Sequence, residues 1–289
     1  MHYVGNIIRP PSEANSIILQ VTIGCSHNKC TFCPTYKGVK FSIKSDKIIL
    51  DDLDFAAKHY TYKKRLFITD GDALILPQKK LLWLFDKINE KLPWLERIGI
   101  YANCKSLKRK SVNDLKELKS KKLGIIYYGI ESGNDLTLEY IKKGATAEEI
   151  IEQGKKVKKA GIKLSVTVLL GIAPPGKSLE HAIDTGSLLT KLDPDYVGAL
   201  TVIVVPGTEL YTMQQNGEFI LPSQEELLME LRNMIYSTNL SNGYFMSNHA
   251  SNYVPLKIKM PEEKEEALAI IDKALEGKLP LREEWMRAL

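Results

Sequence analysis

Cysteine is scarce in this chain, and what there is falls almost entirely in one place. Of the four cysteines in 289 residues, Cys25, Cys30 and Cys33 lie within nine positions, and only Cys104 stands apart. So few thiols, so unevenly placed, argue against a disulfide framework. Long apolar runs are also missing: none reaches the roughly 18 residues of a membrane span. The opening Met1-His2-Tyr3-Val4-Gly5 has no basic segment followed by an apolar one, so no secretory signal is expected there. A cytoplasmic, reducing setting is predicted, with the thiols available to a metal. Charge of one sign is lacking as well. Forty basic and 35 acidic residues leave a scattered, lysine-rich excess of +5, a weak argument for a polyanionic partner. The densest basic cluster, Lys105, Lys108, Arg109 and Lys110, reads as a solvated loop and helix start. No recognised RNA-binding module is present, so nucleic acid is not indicated, although action on tRNA stays open.

What remains is the composition of a globular protein, 44% hydrophobic and 26% charged, long enough for one large α/β barrel or two modest domains. After an extended lead-in over residues 1–15, six apolar runs alternate with helical stretches. The runs are Ser16 to Ile23, Arg65 to Thr69, Ile98 to Ala102, Leu123 to Tyr128, Lys163 to Leu170 and Tyr196 to Val205. Near-continuous Val, Ile and Leu is the signature of parallel strands buried on both faces. Helix starts are signalled between them by Ser45, Pro77, Ser111, Thr146 with Glu149, and Ser178. The predicted fold is α/β: a partial (β/α)6 TIM-like barrel over 16–211, with an α-rich C-terminal extension over 212–289 covering its mouth. Each strand runs into Gly, Asp, Asn, Cys or Glu at its C-terminal end, the edge that carries active sites in barrels.

The cysteine loop follows the first strand with the spacing C-x4-C-x2-C. Three soft thiolates on one loop suit an iron–sulfur cube with one iron left open. Zinc would need a fourth ligand from His27, Cys104 or His249. Thiols without metal are the third possibility.

The triad carries an aromatic, Phe32, just before its last cysteine, and it resembles the radical SAM superfamily, whose usual spacing has one residue fewer in the first gap. Asp70-Gly71-Asp72, ending the second strand, resembles that superfamily's element for the amino group of S-adenosylmethionine (SAM). Gly129-Ile130-Glu131-Ser132-Gly133 resembles the fourth-strand ribose element, and Val168-Leu169-Leu170-Gly171-Ile172 the fifth-strand segment against which adenine packs. Lys142 or Lys143 is placed to pair with the methionyl carboxylate. The likeness covers about residues 16 to 210 and extends to the anaerobic coproporphyrinogen oxidase-like and methylthiotransferase-like cores. It implies Cys25, Cys30 and Cys33 as ligands of a [4Fe-4S] cluster. It implies Phe32, Asp70, Gly71, Asp72, Glu131, Ser132, Lys143, Leu169 and Gly171 around SAM. Reductive cleavage of SAM to a 5′-deoxyadenosyl radical follows, with hydrogen abstraction from a small molecule or cofactor precursor. The implied partners are SAM, that substrate and an electron donor such as flavodoxin or ferredoxin, under anaerobic conditions.

With only Cys104 left over, subfamilies that need auxiliary clusters are disfavoured. The string Asn248-His249-Ala250-Ser251-Asn252 resembles the tail of small radical SAM proteins without a known substrate. Cys104, at the end of the third strand, and His249 are the candidate catalytic residues. Tyr36, Tyr101 and Tyr253 are further candidates for the cavity lining, whereas His2, His59 and His181 carry no functional signal. The alternatives are a tetrapyrrole or metal carrier that keeps this fold, and a zinc-stabilised barrel.

Overall fold

Buried runs of branched aliphatic residues become parallel strands here because helices supply the second buried face. The computed structural model describes residues 1–288. In chain order the elements are β1 (Ile17–Gln20), β2 (Thr22–Ile23), β3 (Ser42–Ile43), α1 (Asp46–His59), β4 (Arg65–Thr69) and α2 (Gln78–Lys91). There follow β5 (Arg97–Ala102), α3 (Cys104–Lys108), α4 (Val112–Ser120), β6 (Leu123–Glu131), α5 (Asp135–Tyr140) and α6 (Ala147–Lys159). The remainder is β7 (Lys163–Leu170), α7 (Ser178–Leu192), β8 (Tyr196–Thr201), α8 (Glu209–Gln215), α9 (Gln224–Ser237), β9 (Gly243–Met246), β10 (Lys257–Met260) and α10 (Lys264–Leu275). The chain divides into two compact units.

The first unit holds residues 1–28, 35–128 and 153–164. In it β1 pairs in parallel with β4, β4 with β5, and β5 with β6, the last with a register slip between Ile98 and Gly99. Leu66, Phe67, Ile68, Ile98, Ile100 and Ile126 are fully buried in these strands. The expected first strand is not continuous. It breaks at Val21, and Thr22–Ile23 turn aside to pair antiparallel with β3. The lead-in is built into the unit through polar contacts. Val4 exchanges two 2.9 Å hydrogen bonds with the Gln20 amide, Thr69 donates to the Ile8 carbonyl at 2.6 Å, and Tyr127 donates to Glu13 at 2.6 Å. Ser45 and Ser111 cap α1 and α4 as their positions predict.

The second unit holds residues 29–34, 129–152 and 165–289. Here β7 pairs in parallel with β8 and β8 with β9, while β10 runs antiparallel to β9. The extension is therefore not α-rich alone, since it contributes two strands. They were hidden from a sequence reading because each is four residues long and alternates buried with less buried positions around Lys and Tyr. The helix pair α7 and α9 approaches closely at Gly186, where a β-carbon would stand 2.5 Å from that of Ser237. Thr146 and Glu149 form the predicted capping box, with N–H donors at 3.1 and 3.3 Å.

Candidate active site

In the first unit the turn after β4 is wrapped around the start of the cysteine loop. Asp70 sits at φ +77°, a left-handed conformation that costs a non-glycine residue about 1–3 kcal/mol and marks over-determined sites. Its Oδ2 accepts from the Gly24 amide at 3.2 Å and from Gln20 Nε2 at 3.0 Å, and its Oδ1 faces the Tyr36 hydroxyl at 3.4 Å. Asp72 is wholly buried, accepts from Ser26 Oγ, and accepts from Asn103 Nδ2 at 2.9 Å. Gly24 and Ser26 flank Cys25, so the two carboxylates grip the loop on either side of the first thiol. Between them Gly71 leaves no room for a side chain, because a β-carbon there would lie 2.6 Å from that of Cys25. Burial pushes the Asp72 carboxyl up to about 6, with the Ser26 and Asn103 bonds opposing the shift. These are the two carboxylates that the resemblance assigns to the ammonium of SAM, and here they accept from Gln20 and Gly24 (Asp70) and from Ser26 and Asn103 (Asp72).

Cys104 does not end a strand. It opens α3, which Asn103 caps with Ser106, and its side chain is 4% exposed. In the basic cluster beside it Lys105, Lys108 and Arg109 are exposed, as expected of a solvated face, and Lys110 departs from it. Lys110 is buried and donates to the Leu76 carbonyl at 2.6 Å, while Lys105 Nζ donates to the Ser26 carbonyl at 2.8 Å. Tyr36 packs against Gly71, and Tyr101 stacks edge-on with Phe67 at 4.9 Å.

In the second unit, the rest of the loop is fixed by its backbone. The Thr31 amide donates to the Ile141 carbonyl at 3.0 Å, and the Thr31 carbonyl accepts from Leu210 at 2.9 Å. Phe32 packs against a buried cluster of Ile141, Leu169, Ile172, Val202, Leu210 and Phe219. Cys25, Cys30 and Cys33 are all partly exposed and none forms a disulfide. Among the described residues no group of three or more Cys, His, Asp or Glu side chains is gathered as a preformed metal site.

Glu131 ends β6 at φ +66°, and its Oε1 accepts from Lys143 Nζ at 2.8 Å with both side chains about 10% exposed. Gly129 makes that pair possible, since a β-carbon there would meet Glu131 Oε1 at 2.7 Å. Lys142 points instead to Glu209 at 2.5 Å in an exposed pair. Gly171 lies at φ +73° under Leu227, which a β-carbon would strike at 2.6 Å. Ser132 is buried, and its partner is a residue that carried no functional signal in the sequence. His181 Nδ1 is 2.8 Å from Ser132 Oγ. The ring's other nitrogen is 3.0 Å from the Leu169 carbonyl. The readable trace of this was the spacing of His181 and Thr185, one turn apart on the buried face of α7.

His249 is a structured part of the tail. Its Nδ1 is 2.9 Å from Ser251 Oγ, and burial with the Arg282 charge pushes its pKa below the ordinary histidine value. Asn252 beside it donates to the carbonyls of Ala199 and Ser247 at 2.7 and 2.8 Å, and it accepts from Thr201 Oγ1 at 2.8 Å. The amide-rich string thus binds the C-terminal end of β8. Tyr253 donates to Glu284 at 2.6 Å. No helix among the described residues is long and apolar enough to cross a membrane.

Comparison with known proteins bears on this arrangement. An uncharacterized protein of Methanocaldococcus jannaschii is 28% identical over 260 residues, which cover 86% of this chain and 78% of that protein. The heme chaperone HemW of Bacillus subtilis is 27% identical over 194 residues, 65% of this chain and 50% of its own length. Among solved structures, coproporphyrinogen III oxidase (HemN) from Escherichia coli superposes with a TM-score of 0.57 at 16% identity, over 76% of this chain and 51% of the oxidase. This chain thus spans about half the length of the last two. The likeness to the oxidase shows the α/β fold. The family model described as the radical SAM superfamily matches residues 19–189. The chain belongs to the radical SAM superfamily.

Proposed function

We propose that this chain is a radical SAM enzyme acting on a small molecule or cofactor precursor, with Cys25, Cys30 and Cys33 holding its cluster. The superfamily works with a [4Fe-4S] cluster and SAM. The donor set fits the cluster: three thiols on one loop, partly exposed, outside any disulfide, with the first seated on Gly71. Held by these three thiols, the cluster would supply the electron for reductive cleavage of SAM to methionine and a 5′-deoxyadenosyl radical, the species that would take hydrogen from the substrate.

The chain's own residues orient and exclude. Asp70 and Asp72 fix the Cys25 segment from either side, so the thiol is placed before metal arrives. Thr31 and Phe32 fix the Cys30 and Cys33 segment by backbone bonds and apolar packing. In this reading Glu131 and Ser132 hold the ribose, Leu169 and Gly171 the adenine, and Lys143 the methionyl carboxylate, for which it must release Glu131. The 247–253 string at the end of β8 covers the substrate side. A flavodoxin or ferredoxin supplies the electron.

The observation that carries the reading is the clamp of two buried carboxylates around Cys25, in a chain of this superfamily. The test is anaerobic reconstitution followed by dithionite and SAM. About four irons per chain and release of 5′-deoxyadenosine are expected. Cleavage that survives Cys30→Ala would sink the assignment. Bound tetrapyrrole without cleavage would mark a carrier instead, and zinc without iron a zinc-stabilised barrel.

A further inference from the structure

Helix α7 meets both proposed adenosyl elements at once. Gly133 lies so close to it that a β-carbon would stand 2.5 Å from the Asp184 carbonyl oxygen and 2.7 Å from the Thr185 Cα. The Gly133 amide donates to Thr185 Oγ1 at 2.9 Å. One turn earlier on the same face, His181 is fully buried and bridges Ser132 Oγ, 2.8 Å from Nδ1, to the Leu169 carbonyl, 3.0 Å from Nε2. The direction of each bond follows from donor accounting. The Leu169 carbonyl can only accept, so Nε2 carries the proton of the neutral ring, Nδ1 is left as the acceptor, and the Ser132 hydroxyl donates to it while accepting from the Asn134 amide at 3.0 Å. Glu230, from α9, completes the set. Its Oε1 accepts from the Gly171 amide at 2.7 Å and stands 3.5 Å from His181 Nε2, while its Oε2 accepts from Ser178 Oγ.

A buried imidazole and a buried carboxylate are costly to place, and each here spends its hydrogen bonds on a backbone group or hydroxyl of a strand-end segment. We propose that His181 and Glu230 are positioning residues that lock the Glu131–Gly133 segment to the Leu169–Gly171 segment, fixing the span between the ribose and adenine contacts of SAM. The proposal rests on the assignment of those two segments to SAM. Neither residue touches the nucleoside in it. His181 sets the Ser132 hydroxyl and the Leu169 carbonyl, and Glu230 sets the Gly171 amide.

The test uses the full-length chain, reconstituted anaerobically, with SAM and S-adenosylhomocysteine as calorimetric probes. His181→Ala is expected to weaken both ligands about tenfold or more. Iron content should match wild type, and the rate at saturating SAM should stay within about threefold, a KM effect rather than a kcat effect. His181→Gln, which can accept from Ser132 and donate to Leu169, should restore most of the affinity. If His181→Ala does not fold, Glu230→Leu gives the same readout, because it fills a similar volume and removes the acceptor of the Gly171 amide. Wild-type affinity in a folded variant, whatever its melting temperature, overturns the proposal. Wild-type protein that binds neither probe overturns the cofactor assignment itself, and with it this proposal, before any variant is compared.

Discussion

Gly71 and Cys25 are in contact through the space where a side chain would be: a β-carbon on Gly71 would stand 2.6 Å from the Cys25 Cβ and 2.8 Å from its Cα. Cys25, the first of the proposed cluster ligands, is therefore placed by the residue between the two clamping aspartates. Gly71→Ala must push the loop away, at a cost of about 1–3 kcal/mol typical of overpacking. The expected result is a folded protein by circular dichroism that takes up markedly less iron on reconstitution. Full iron uptake would show that the loop gives way without consequence.

The Glu131 carboxylate is about 10% exposed and has Lys143 Nζ at 2.8 Å. Removing the cation strands a nearly buried charge. Lys143→Ala should cost about 3–5 kcal/mol by urea unfolding, and adding Glu131→Gln should recover most of it. Purely additive losses in the double variant would mean that the two groups do not act as a pair.

Cys104 opens α3 with a 4% exposed side chain. A thiol in that place packs as a small apolar group. Cys104→Ala is expected to leave iron content unchanged and 5′-deoxyadenosine formation within about threefold of wild type. A loss of cluster in that variant would make Cys104 a ligand after all.

Burial pushes the Glu230 carboxyl above its ordinary value of 4.5, against the pull of His181, Ser178 and the Gly171 amide. The folded state therefore keeps this proton to higher pH than the unfolded chain does. As pH rises from 4.5 through the folded pKa, the unfolded state loses the proton first and stability falls; below 4.5 the penalty is absent. Urea midpoints should show wild type losing ground to Glu230→Gln across that window. A constant difference between the two proteins would argue against a raised pKa.

Much of the fold was legible because its signals are local. The six apolar runs, the Ser45 and Ser111 caps and the Thr146–Glu149 box each follow from a few adjacent residues, and each run holds a strand, although the first breaks at Val21 and the last ends at Thr201. The tail strands were not legible, since four residues of mixed polarity become a strand only by pairing with β8. The break at Val21 is likewise a tertiary event, forced by pairing with β3.

For the site, the cysteine spacing and the carboxylates at the strand ends could be read directly, because a turn after a strand is written in Gly and Asp. Their hydrogen-bond partners could not. Asp70 and Asp72 serve Gly24 and Ser26, 46 residues away in each case, and no local pattern reports such a contact. His181 had the sequence profile of an ordinary helical histidine, and only its burial between Ser132 and Leu169 makes it a bridge. The sequence by itself determined which elements form and which chemistry the three thiols can support, since propensity, capping and ligand softness belong to the residues themselves. Tertiary structure alone decided which carboxylate meets which donor, because a buried hydrogen bond is settled by whatever the fold brings within 3 Å or so of it.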